Sequence, residues 1–253
     1  MKKNFVLIGT ILICLIGFSG CTQKNTITID GYTADWQHIP VYIQDATGDI
    51  KNEKLGKNQS DKEIFEFDVT TIKLAMNTSN LFILVQLADD TGYYFAHNRE
   101  YARNIGELYF DIDNNTNTGG KAFASEIGGF DSKINIYTGV WNTETGYGVS
   151  GRMNLNNITK DSPLQYFFEY CPYLYNESNQ EFSANNSKII QSYKKPNLIA
   201  YHGNFIELQV PLEDLALRND TNQTIRVLFS ERGSGIGPES FSEETKTIPI
   251  IKE

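Results

Sequence analysis

The chain reads as an all-β fold, a two-sheet antiparallel β-sandwich of jelly-roll-like form with one short helix. Three observations predict it. Apolar and polar residues alternate over short runs, Gly and Asn turns separate those runs, and hardly any stretch carries helical spacing. No period is long enough for a repeat architecture. Residues 21–253 suffice for one large β domain with a single core.

Residues 1–20 do not belong to that domain. Lys2 and Lys3 give a positive start, and Phe5 to Phe18 form an apolar run shorter than the ~20 residues a membrane span needs. Phe18-Ser19-Gly20-Cys21 follows. This resembles a lipoprotein signal peptide, which implies a lipid on Cys21 as the new N-terminus; Phe18 stands where such signals usually carry Leu. An uncleaved anchor helix is the competing reading. Both place the domain in the cell envelope, extracytoplasmic and close to a membrane, with residues 21–25 as a short tether.

Loss of Lys2 and Lys3 leaves 20 basic against 31 acidic side chains, a net charge of −11. Such a surface repels nucleic acid and anionic lipid, and suits neutral ligands and cations. Cys171 is then the one cysteine besides Cys14 in the leader and Cys21. No internal disulfide is expected, and Cys171, set among aromatics, reads as a small buried residue. Asn-x-Ser/Thr triplets at Asn58, Asn77, Asn114, Asn157, Asn176, Asn185, Asn219 and Asn222 are acceptors for glycosylation in an exported chain.

Taken in order, Thr26 to Ile29 alternates and breaks at Asp30-Gly31, a strand into a turn. Gln44 to Asp61 is a long polar loop. Phe65, Phe67 and Val69 alternate with acids, then Ile72, Leu74 and Met76 take the apolar side, so a bulge is expected near Thr71. Asn77 to Asn80 is a turn before the apolar strand Leu81 to Leu87. Leu108, Phe110 and Ile112 share one strand face, which puts Tyr109, Asp111 and Asp113 on the face away from the core. Ile134 and Ile136 belong to a strand running towards Trp141. Tyr166 to Tyr175 is dense in aromatics and reads as core rather than platform. Pro211 and the acids after it open a short helix. Ile225, Val227 and Phe229 form a strand, and Ile248 to Ile251 the last one.

Four stretches in this order resemble carbohydrate-binding module family 9-like domains, related to the DOMON-type β-sandwiches: Thr28 to Pro40, Thr71 to Asp90, Tyr109 to Gly120 with Gly129 to Tyr137, and Gly203 to Leu217. The resemblance implies a sandwich that accompanies glycan-processing enzymes and in some members binds sugar. Residues 161–201 match no part of that pattern and read as an insertion, a candidate surface for an envelope protein partner. The haem-binding DOMON branch implies a Met and a His as axial ligands, for which Met76 or Met153 with His38, His97 or His202 would be needed.

Asp111, Asp113, Asn115 and Asn117, followed by Gly119-Gly120, put oxygen donors at alternating positions before a bendable backbone, as a structural calcium needs. The turn is no EF-hand, since Thr116 and Ala122 occupy the positions of its Gly and Glu. Further donors would come from Asp131, Asp45 or Asp49. The competing reading is a solvated polar turn. For glycan or polysaccharide, an aromatic face plus fixed polar groups is required. Trp141 with Tyr147 and Tyr137 forms the expected platform, Tyr93 and Tyr94 are further aromatics, and Trp36 reads as a core plug. No zinc spacing, nucleophile elbow or phosphate loop is present, so a non-catalytic protein is expected.

Overall fold

The computed structural model describes residues 26–47, 67–91, 104–123, 125–142, 147–150, 164–184, 188–192, 194–218, 224–232 and 238–251. Side chains are described in these ranges except at 104, 140–142, 147–150, 164–166, 231–232 and 238–241. The expected leader, Cys21, Asp49, Tyr93, Tyr94, His97 and Met153 lie outside the described residues. Among the described residues, no helix is long and apolar enough to cross a membrane.

The strands are β1 (Val41–Gln44), β2 (Val69–Met76), β3 (Asn80–Leu87), β4 (Asn104–Asp111), β5 (Ser132–Asn142), β6 (Tyr147–Ser150), β7 (Leu164–Asn176), β8 (Glu181–Ala184), β9 (Ile190–Gln191), β10 (Ile199–His202), β11 (Phe205–Pro211), β12 (Thr224–Arg232) and β13 (Pro238–Thr247). Sheet I runs β1-β2-β3-β11-β10, and sheet II runs β13-β12-β4-β5-β7-β8, with β6 beside β5 and β9 beside β7. The named strands pair antiparallel, as the expected sandwich requires.

Period two explains how the layers meet. Ile72, Leu74, Ile83, Val85, Ile206 and Leu208 of sheet I face Leu108, Phe110, Ile134, Ile136, Phe168 and Phe229 of sheet II in one buried cluster. Each such side chain contributes ~1.5–3 kcal/mol by leaving water. Polar ties span the layers: the Tyr170 hydroxyl donates to the Gln209 carbonyl at 2.6 Å, and Tyr42 donates to the Ile225 carbonyl at 2.5 Å.

The expected bulge lies where the β2–β3 register shifts between Val69 and Thr71. The expected short helix is a 3-10 turn, Leu212–Leu215, entered through Pro211. The described residues of the stretch 161–201 belong to both sheets, with β7, β8 and β9 in sheet II and β10 in sheet I. The aromatic run falls on β7, where Phe167, Phe168, Tyr170 and Cys171 are buried and Tyr173 and Tyr175 are half-buried.

Two strands expected at the ends are absent. Thr26 to Ile29 has irregular backbone: the Thr28 N–H goes to Asp35, and those of Asp30 and Gly31 in the following turn go to Glu207, instead of to a ladder. Ile248 to Ile251 makes a single parallel bridge, Met76 to Ile250; Pro249 has no N–H with which to extend it.

Both outer sheet faces are covered. Ile27, Ile29, Trp36 and Ile39 lie over Ala75, Phe82 and Leu84 of sheet I. The turn after β4 folds back over sheet II, packing Ala122 and Phe130 on Tyr109 and Leu228. The alternation along β4 therefore holds, but the face opposite the core is not solvent.

Candidate functional site

The outer face of sheet II collects polar side chains in rows set by strand register. Ser230, Glu107, Asn135 and Cys171 are cross-strand neighbours along β12, β4, β5 and β7. The adjacent row holds Tyr109, Lys133 and Tyr173, and on the other side Tyr137 stands opposite Glu169. Glu107, Asn135, Glu169, Cys171 and Ser230 are buried, while Tyr137, Lys133 and Tyr173 are half-buried.

Most of these groups are matched. The Glu107 carboxylate receives the Tyr109 hydroxyl and pairs with Lys133 Nζ at 3.3 Å. That ammonium lies 4.9 Å from the ring centre of Tyr173, and near the rings of Tyr109 and Phe182, a cation–π setting. Glu169 accepts the Gln191 amide at 2.6 Å, and Asn135 Nδ2 donates to the Tyr137 hydroxyl at 2.7 Å. Two atoms are not matched. Asn135 Oδ1 and Ser230 Oγ are buried without a hydrogen-bond partner, and they flank Glu107 in one row. An unmet buried polar group costs ~1–3 kcal/mol, so this row favours a ligand or water that completes it.

Burial raises the Tyr137 hydroxyl pKa, against bonds from Asn135 and Tyr173 that lower it. Burial also pushes the Cys171 thiol up to about 11, so at neutral pH it is protonated and no nucleophile.

Of the three residues expected to form a platform, Tyr137 lies on this face. Trp141 is four residues further along β5, at the same strand parity. The hairpin register pairs Trp141 with Gly148 and Asn142 with Tyr147, so Trp141 and Tyr147 occupy opposite parities. Their side chains lie outside the described residues.

The acidic turn is a separate site. Asp111, Asp113 and Asp131 bring one carboxylate oxygen each to within 4.8 Å of one another. Asp111 was expected on the face away from the core; it lies there but is fully buried, and its counter-charge is Arg226, whose Nε donates to Oδ2 at 2.9 Å. Arg226 also donates to the Gly128 carbonyl and stacks 4.6 Å from the Phe130 ring centre, clamping the covering turn. Burial raises the Asp131 pKa, the Ile112 N–H lowers it, and the charges of Asp113 and Asp111 add to the rise. Three hard oxygen donors fit a divalent cation, with one negative charge already matched by Arg226. Asn115 and Asn117 bond to each other, and Asp45 accepts the Ser242 hydroxyl. Gly119, at φ +68°, is required: a Cβ there would lie 2.5 Å from the Phe130 carbonyl oxygen.

A third polar centre went unforeseen. Glu207, fully buried on the outer face of β11, accepts Gly31 N at 2.6 Å, Asp30 N at 3.1 Å and Trp36 Nε1 at 2.6 Å. Trp36 is the core plug expected of it. Met76 is buried in the core, whereas His38 and His202 are exposed. No family model matches the chain, and no curated protein matches it.

Proposed function

We propose that this chain is a non-catalytic, lipid-anchored envelope protein that recognises carbohydrate on the outer face of sheet II. The observation that carries the reading is the row of Asn135 Oδ1 and Ser230 Oγ, both unmet, beside the half-buried phenols of Tyr137 and Tyr173. A sugar supplies hydroxyl donors and acceptors for such atoms and an apolar ring face for an aromatic side chain. Trp141, at the strand parity of Tyr137 on β5, is the aromatic residue the reading assigns to the sugar's ring face. The reading is also supported by the four stretches that resemble family 9-like carbohydrate-binding modules, and by an acidic chain that suits neutral ligands. The Asp111, Asp113 and Asp131 set holds a structural cation, for which calcium is the natural hard ion.

The test is calorimetric titration with a panel of neutral oligosaccharides, followed by tryptophan fluorescence. Binding is expected for at least one glycan, weakened about tenfold in Asn135→Ala, the size of one lost buried hydrogen bond. Fluorescence quenching on binding is expected to vanish in Trp141→Ala. A flat titration across the panel overturns the reading.

A further inference from the structure

The covered face of sheet I carries the start of the domain. Ile27, Ile29, Trp36 and Ile39 are packed on Ala75, Phe82 and Leu84, and Glu207 holds the Asp30-Gly31 turn through two backbone N–H groups. Thr28 N donates to Asp35 Oδ2 at 2.7 Å within the same segment. Thr26 is therefore fixed to this side of the body.

Cys21 precedes Thr26 by five residues, which reach at most ~18 Å when fully extended. Packed layers of a sandwich lie ~10 Å apart. The cover of sheet I, the two sheets and the cover of sheet II make four layers, so the far cover is about 30 Å from Thr26. A lipid on Cys21 brings the near side to the bilayer and holds the far side away from it.

The near side has one feature suited to a headgroup layer. Tyr32 is 61% exposed, its ring 5.0 Å from that of His202, on the turn held by Glu207. An amphipathic ring of this kind settles at a membrane–water boundary. Asp30 and Asp35 lie in the same segment, and they disfavour an anionic surface.

We propose that the segment from Thr26 to Val41, over sheet I, is a membrane-facing surface that lies against uncharged or zwitterionic lipid headgroups, with the outer face of sheet II turned outwards. This rests on the lipid-anchor reading of Cys21. It puts the proposed sugar site on the side opposite the bilayer.

The test uses the full lipidated chain in phosphatidylcholine vesicles. Gln37→Cys and Glu126→Cys, both at exposed positions on opposite sides, each take a fluorophore, because the native Cys171 thiol is buried. Vesicle flotation is measured first, then quenching by a spin-labelled lipid. Quenching at position 37 is expected to exceed that at position 126 at least threefold. Equal or reversed quenching in a chain that floats overturns the orientation alone. A chain that does not float overturns the anchor and the orientation with it.

Discussion

The indole Nε1 of Trp36 donates to Oε1 of Glu207 at 2.6 Å, joining the segment before β1 to the middle of β11 across 171 residues of sequence. The same carboxylate takes the backbone N–H groups of Asp30 and Gly31. One side chain thus ties the segment from Asp30 to Trp36 over the face of sheet I.

Replacement of Glu207 is expected to separate shape from charge. Glu207→Leu leaves two buried N–H donors and one partly buried one unmet, for an expected loss of ~3 kcal/mol. Glu207→Gln keeps an acceptor oxygen but sets an amide against a donor, for an expected ~1–2 kcal/mol. Urea denaturation gives both values; equal costs would show that the hydrogen bonds contribute nothing.

Burial pushes the Glu207 carboxyl up to about 7, opposed by the N–H groups of Gly31, Trp36 and Asp30 and aided by the charge of Asp35. The unfolded carboxyl releases its proton near 4.5, so between these values the folded state binds more protons. The contribution is complete below pH 4.5 and is lost as pH rises towards 7. Its size is on the order of 3 kcal/mol. Asp131, raised in the same direction, gives a slope of the same sign above pH 3.8. Melting temperature is expected to fall between pH 4.5 and 7, and to fall less in Glu207→Gln. Identical slopes in the two proteins would remove Glu207 as the cause.

Arg226 and Asp111 form a buried ion pair, side chains 8% and 0% exposed. Arg226→Met leaves the carboxylate alone and is expected to cost ~3–5 kcal/mol. Adding Asp111→Asn should recover part of that loss, since no lone buried charge remains. A double-mutant cycle with zero coupling would contradict the pairing.

Calcium is expected to raise the melting temperature by several degrees, following the binding linkage at millimolar ion over a micromolar site. Asp113→Asn with Asp131→Asn should abolish the shift, and chelation should reverse it. An unchanged melt with and without calcium rules the cation out.

Much of the sandwich was legible because its signals are local. The alternation of Leu108, Phe110 and Ile112 and the phase slip near Thr71 translate directly into faces and a bulge. Trp36 was legible as a plug for the same reason. The outer faces were not. Glu107, Lys133, Asn135 and Glu207 drew no expectation, since alternation marks only which face they occupy. What covers that face depends on turns packing from far along the chain. Asp111 shows the limit: its parity was foreseen, but the burial that Arg226 and the turn impose was not.

The bridge between Met76 and Ile250 brings Ile251 into the cluster that holds Ile27 and Ile29, so the two ends of the described residues share one flank. A bulky group attached at Ile251 would therefore crowd the segment that carries Ile27 and Ile29. Reporters and immobilisation points belong instead on exposed turns such as the one carrying Ser178, where they leave both termini undisturbed.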